Sequence, residues 1–251
     1  MSLFSRHKKV KPDKIPPCSA IIAAAGLSER MNGEDKLFIE LRGKPVIAHA
    51  LTAFQNCKYI NEIIVVSRGE HMELVSDICK FYSITKATKV VAGGHTRLAS
   101  VYNGVFTVSE KAGLIAIHDG ARPCIEQGVI ESAIRAALRY HAVAPAVPVS
   151  STIKRAKDGF VKETVDRDGL FEIQTPQVFT AELIKAALTN VVNKSIMVTD
   201  DCETVELIGA PVYLVEGSFF NIKLTTSEDI AVAEAILLQL GVKSEELGVR
   251  S

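Results

Sequence analysis

The sequence predicts an α/β fold with a mainly parallel sheet, and three observations carry that prediction. First, "SAIIAAA" (19–25), "EIIVVS" (62–67), "TKVVAG" (88–93) and "GLIAIHD" (113–119) are continuous apolar runs, the pattern of strands covered on both faces. Second, helical patterns alternate with them at about 45–55, 71–82, 97–108 and 127–140. Third, such alternation joins parallel strands by right-handed crossovers, and ligands of these sheets bind beyond the strands' carboxyl ends. A site is therefore expected in the loops after residues 25, 93 and 119.

The rhythm changes after "VAPAVPVS" (143–150). "STIKRA", "GFVKETV" and "LFEIQT" are short, β-prone and separated by Asp-Gly turns at 158–159 and 168–169. They predict an inserted β-arm at about 150–175. An arm with so few apolar residues needs something to pack on, and a second subunit is the expected partner. From Ala181 the alternation resumes, ending in the helix of "TTSEDIAVAEAILLQL", with Thr226 or Ser227 as cap and Glu228 and Asp229 in its first turn. Residues 1–17 read as a flexible basic extension, and 18–251 as a single domain.

Composition bounds the function. Of 251 residues, 47% are hydrophobic and 23% charged, as in an ordinary soluble globular chain. The formal net charge is zero, so no overall field favours nucleic acid or an anionic membrane, and neither is expected as a partner. Any basic site must be local. The five cysteines (Cys18, Cys57, Cys79, Cys124 and Cys202) form no CxxC pair. That argues against a disulfide framework or zinc ribbon and fits a cytoplasmic location. No apolar run approaches the ~20 residues of a membrane helix, and the basic N-terminus lacks the apolar core of a secretory signal.

"IIAAAGLSERM" (21–31) breaks at Gly26 and delivers Arg30, with Lys36 six residues on. Backbone amides at a strand-to-helix turn beside two cations suit phosphate; a glycine turn that binds nothing is the other reading. The loop is neither GxxxxGK[ST] nor GxGxxG, which argues against a P-loop hydrolase and a nicotinamide dehydrogenase. In "GGHTRLAS" (93–100), Gly93 and Gly94 permit close approach to a flat ligand, and Ser100 offers a hydroxyl one turn beyond Arg97. A plain turn with Thr96 as N-cap accounts for the same residues.

"HDGARP" (118–123) puts Asp119 at the carboxyl edge of a buried strand, followed by Arg122. Asp119 is a candidate for holding Mg²⁺, directly or through water, and Arg122 for clamping a phosphate; a structural Asp–Arg pair is the alternative. "NIKL" (221–224) places Lys223 at the end of an apolar strand, either snorkelling to solvent or aimed at an anion. "TVDR" (164–167), "TPQ" (175–177) and "TDD" (199–201) add hydroxyls and charges in turns. His49, His71 and His141 have no ligand spacing and read as structural. His118 is expected to face away from Asp119 across its strand.

Taken in order, "AAAGLSERM", "GGHTRLASVYNG", "HDGARPCI", "TIKRA", "TVDRDGL", "TPQVF", "TDD" and "EGSFFNIKLT" resemble the 2-C-methyl-D-erythritol 4-phosphate cytidylyltransferase family of the non-mevalonate isoprenoid pathway. The likeness runs from about Ser19 to Leu240. It implies a Rossmann-like nucleotidyltransferase core with a β-arm that forms a homodimer, and transfer of CMP from CTP to a sugar-alcohol phosphate with Mg²⁺ or another divalent cation. Carried over, Ala24, Ala25 and Gly26 meet the nucleotide, Arg30 and Lys36 its phosphates, and Gly94 and Ser100 its cytosine and ribose side. Asp119 and Arg122 lie near metal and sugar phosphate, with Thr199 and Lys223 completing that side. Thr152, Arg167 and Thr175 fall in or beside the arm, whose threonine and arginine reach the neighbouring subunit's site. One departure stands out: the family usually shows Pro-Lys-Gln where this chain has Asp35-Lys36-Leu37, so proline's fixed φ is absent.

The chemistry matches this inventory. The nucleophile would be the substrate's own phosphate oxygen, already anionic near neutral pH, so no general base is needed, and no Ser/His/Asp or Cys/His set is evident. Neutralisation is needed instead, and Arg30, Lys36 and Lys223 with Mg²⁺ would supply it by positioning and electrostatics. Two alternatives remain at this level. A ribitol 5-phosphate cytidylyltransferase shares most of the markers. A non-catalytic nucleotide-binding dimer module would have little use for Arg30, Lys36, Asp119 and Lys223 together.

Overall fold

The computed structural model describes residues 15–26 and 35–242. The four apolar runs are strands: β1 (Cys18–Ala24), β4 (Ile60–Ser67), β5 (Ala87–Ala92) and β6 (Leu114–Asp119), with the short hairpin β2 (Glu40–Leu41) and β3 (Lys44–Pro45) between the first two. The helices between and after them are α1 (Val46–Asn56), α2 (Met72–Phe81), α3 (Arg97–Val105) and α4 (Gln127–Tyr140). Next come β7 (Ala142–Pro148), β8 (Ile153–Lys157), β9 (Phe160–Val165), β10 (Phe171–Ile173) and β11 (Gln177–Thr180). The chain closes with α5 (Ala181–Asn193), α6 (Asp201–Glu206), β12 (Tyr213–Glu216) and α7 (Glu228–Gln239).

One eight-stranded sheet runs β10-β7-β11-β6-β1-β4-β5, with β12 on β7. β1 pairs parallel with both β4 and β6, and β4 with β5. β11 is antiparallel to β6 and β7, and β10 to β7, so the sheet is mostly but not wholly parallel. Strand alternation sorts side chains to two cores. Cys18, Ala20, Ile22 and Ala24 of β1 join one, and Ile21 the other. On β6, Leu114 and Ala116 face the first core, Ile115 and Ile117 the second. His118 follows that alternation: its ring lies 4.9 Å from Phe54 of α1, on the first side.

Three sequence expectations change. "LFEIQT" is not a third arm strand, because Phe171–Ile173 pairs with β7 of the main sheet. The arm proper is the β8–β9 hairpin, turned at Asp158 (φ 52°) and Gly159 (φ 79°), the left-handed pair that a tight Asp-Gly turn requires. Lys223 does not end a strand either. Residues 221–224 belong to no strand and are held by single tethers, such as the Leu224 amide donating to the Ala121 carbonyl at 2.9 Å, rather than by a ladder. Finally, α7 starts after Ser227 without a side-chain cap. Asp229 takes that part, its Oδ2 accepting from the Thr225 and Thr226 amides at 2.7 and 2.8 Å.

Candidate active site

The carboxyl ends of β1, β4, β5 and β6 open onto a cleft of about 410 Å³ lined by Ala23 to Gly26, Lys36, Arg68, Gly94, Arg97, Ser100, Asp119 and Lys223, among others. Two loops form its walls by close approach. A Cβ at Gly93 would fall 2.3 Å from the Ala25 Cβ and 2.8 Å from Ser100 Oγ, so only glycine lets the β5 loop close on the end of β1. At Gly26 a Cβ would meet nothing within 4 Å. The sterically required glycines here are therefore Gly93 and Gly94, the second because a Cβ would fall 2.5 Å from the Ala99 Cβ.

Asp119 is the centre of charge. It is 7% exposed, at the last residue of β6. Lys223 Nζ lies 2.9 Å from its Oδ2, Arg97 Nε 3.3 Å from Oδ1 and Arg122 Nε 3.6 Å from Oδ2. Burial alone would push this carboxyl up; Arg97, Lys223 and Arg122 outweigh it and hold the group well below the usual carboxylate range. Its amide donates to Thr175 Oγ1 at 3.2 Å, and that hydroxyl lies 2.9 Å from His118 Nδ1. Thr175 is buried and braces the strand end from the neighbouring β11 side of the sheet. Burial also lowers His118, to about 4, so the imidazole is neutral.

Lys36 meets the Leu224 carbonyl at 2.9 Å. Burial lowers its pKa, and the neighbouring Lys223 lowers it further, against the pull of Asp119. Two ammonium groups crowded at the mouth of one cleft are a standing demand for an anion. Arg122 is turned inward, Nη1 donating to the Asn221 carbonyl at 2.6 Å. Ser100 Oγ donates to the Thr96 carbonyl at 2.9 Å and accepts from the Gly94 amide at 3.1 Å, so its hydroxyl shapes the loop. Thr96 caps α3 as expected, accepting from the Ala99 amide.

The remaining expected residues lie elsewhere. Arg30 falls outside the described residues. Thr152 and Arg167 are exposed at the arm, Arg167 donating to the Ser150 carbonyl. Thr199 is exposed and bonded to Glu203 Oε2 through its amide and hydroxyl, as part of the start of α6. None of these three lines the cleft.

Two charged residues of the cleft wall, and the carboxylate that holds one of them, were not singled out from sequence. Arg97 opens α3, where the helix dipole disfavours a cation, and a carboxylate answers it: Asp201, 1% exposed, receives Nη1 and Nη2 at 3.0 and 2.8 Å. Asp201 and Asp119 outweigh burial and hold the Arg97 guanidinium charged. Gln177 fixes this corner, its Oε1 accepting from the Asp201 and Cys202 amides at 3.0 Å each. Arg68 follows β4 directly and pairs with Asp35. The rule that ligands gather at strand carboxyl ends pointed to the loop after residue 67 as much as to the other three.

A mostly parallel sheet whose strand carboxyl ends open onto a cleft walled by lysine and arginine around one carboxylate has the make-up of an enzyme that handles phosphorylated substrates. Comparison with known proteins narrows the class. Residues 18–239 match the family model "IspD: 2-C-methyl-D-erythritol 4-phosphate cytidylyltransferase", and the chain belongs to that family. A relative of that name from Halalkalibacterium halodurans is 43% identical over 222 residues, 88% of this chain and 97% of the relative. Another, from Caldanaerobacter subterraneus, is 46% identical over 223 residues, covering 87% and 98%. Among solved structures, 4-diphosphocytidyl-2C-methyl-D-erythritol synthase from Anaerococcus prevotii superposes with a TM-score of 0.79 at 33% identity, covering 89% of this chain and 96% of that one.

Proposed function

We propose that the protein transfers CMP from CTP to 2-C-methyl-D-erythritol 4-phosphate, releasing pyrophosphate. The observation that carries this reading is the charge arrangement around Asp119, in a chain whose relatives bear that activity's name. The triphosphate lies against the β1 turn at Ala24, Ala25 and Gly26, with Lys36 and Lys223 on its phosphates; Arg30 is assigned to the same phosphates by the family resemblance alone. Gly94 and the loop shaped by Ser100 face the base and ribose. The family resemblance assigns Arg122, Thr175 and Thr199 to the acceptor side; none of the three lines the described cleft, and Thr175 contributes by bracing Asp119. The acceptor's phosphate oxygen attacks the α-phosphorus in line, and the lysines stabilise charge leaving with pyrophosphate.

Asp119 is the only carboxylate among the described lining residues of the cleft. One carboxylate fits Mg²⁺, which takes its other ligands from phosphates and water. Asp119 would hold the ion, directly or through water; when bound, it neutralises phosphate charge.

The arm supports a homodimer. Phe160 and Val161 are 73% and 60% exposed at its tip, and Ile153 is exposed at its base, opposite Val165. A groove lined by Arg167, Phe171, Phe219 and Phe220 offers a second copy an apolar seat, and Thr152 and Arg167 reach the partner's acceptor side. Five buried free thiols suit the cytoplasm. No helix among the described residues is long and apolar enough to cross a membrane.

The test is turnover of methylerythritol 4-phosphate labelled with ¹⁸O in its phosphate, with CTP and Mg²⁺. The reading expects a cytidine diphosphate product carrying the label and pyrophosphate free of it. Labelled pyrophosphate, or no product, would refute it. Chelation by EDTA should abolish turnover, and added Mg²⁺ should restore it.

A further inference from the structure

Asp35 stands where the resemblance leads one to expect proline as the usual residue, and the structure gives it distinctive surroundings. Its side chain is 9% exposed and faces the segment that follows β4. Oδ2 pairs with Arg68 Nη2 and lies 3.3 Å from His71 Nδ1; Arg68 Nη2 is itself 3.2 Å from that nitrogen. Oδ1 accepts the Leu37 amide at 3.1 Å, and the Asp35 carbonyl accepts the Phe38 amide at 2.9 Å. The Phe38 ring meets the His71 ring edge-on at 4.8 Å. The Asp35–Arg68, Asp35–His71 and Phe38–His71 contacts join residues 35–38 to residues 68–71, while the two amide bonds fold 35–38 on itself. Lys36 sits inside this clasp, its ammonium delivered to the Leu224 carbonyl and the cleft.

A lysine stem has four rotatable bonds, so its backbone must be fixed from outside if its ammonium is to be held at one place in the cleft. A proline ring does so covalently, through φ. A carboxylate does so by direction: a largely buried charge with a guanidinium on one oxygen and a backbone amide on the other has one comfortable orientation. We propose that Asp35, acting through Arg68 and His71, is a positioning residue for Lys36: a side-chain latch in place of a ring. This deepens the cytidylyltransferase reading and rests on it.

Two measurements on the full-length protein test the latch. The first is acetylation of Lys36 by a limiting amine reagent without nucleotide, read by mass spectrometry against the other lysines. Asp35→Asn keeps an oxygen for the Leu37 amide but loses the charge; it should raise labelling of Lys36 alone, whereas general loosening would raise all lysines together. The second is kinetic. Asp35→Asn should lower kcat/KM for CTP about tenfold, short of the ~100-fold that a 1 Å misplacement costs. It should cause no further loss in a Lys36→Ala background, and Asp35→Pro should keep most of the activity. Unchanged Lys36 labelling, or an equal loss in both backgrounds, would overturn the latch. A wild-type protein inert toward CTP would instead overturn the function, while the labelling would still decide whether Asp35 orders Lys36.

Discussion

Asp119 stays ionised in a buried place because three cations converge on it. Its folded pKa lies below the unfolded value of about 3.9. Its stabilising contribution is therefore complete above pH 4 and lost only under stronger acid. His118 works in another window. Burial lowers it to about 4, so between there and its unfolded value near 6.5 only the unfolded chain binds the proton. Stability should fall as pH drops through that range, by about 3 kcal/mol at most for this one group. Urea melts at pH 7 and 4.5 should show the loss, and His118→Asn should flatten it; an equally steep dependence in the variant would assign it to other groups. Lys36→Ala and Lys223→Ala should each cut turnover ~100-fold or more, the cost of removing one preorganised charge partner. Wild-type turnover in either would remove that lysine from the mechanism.

Local pattern made most elements readable. β1, β4 and β6 came from apolar runs because a strand covered on both faces has little room for polar residues, whereas β5 showed a similar run although it is a partly exposed edge strand. Thr96 was readable as a cap because its partner is three residues away. Where a residue's role depends on a distant partner, pattern gave no hint. Arg97 and Asp201 are 104 positions apart, and only the packing of α6 against the sheet brings them together. Residues 221–224 looked like a strand because Ile222 and Leu224 are apolar, yet they fill core positions from a tethered loop. Phe171–Ile173 resembles its arm neighbours in composition and leaves them to pair with Ala146–Pro148, the end of β7 beyond its pairing with β11. Removing one partner of a fully buried ion pair costs about 3–5 kcal/mol. For Asp201→Ala we expect about 2 kcal/mol, because Arg97 is a third exposed. Chemical denaturation checks this, and a value near zero would mean that water replaces the pair freely.

At the scale of the molecule, a rigid sheet holds the cleft and a hairpin projects from it with its apolar tip uncovered. An exposed apolar patch on a protruding arm marks an interface. Phe160→Asp with Val161→Asp should convert a dimer into monomers in light scattering, and the monomer should lose affinity for the acceptor more than for CTP. A monomeric wild type would contradict the arm's role. The cleft itself separates classes of enzyme better than it separates acceptors, since two sugar-alcohol phosphates present the same phosphate to the same cations. The most direct measurement is thus a competition: CTP and Mg²⁺ with equal methylerythritol 4-phosphate and ribitol 5-phosphate, the cytidine diphosphate products separated by mass. The methylerythritol product should dominate by orders of magnitude. A predominance of the ribitol product would contradict the assigned substrate while leaving the fold and the charge cluster in place.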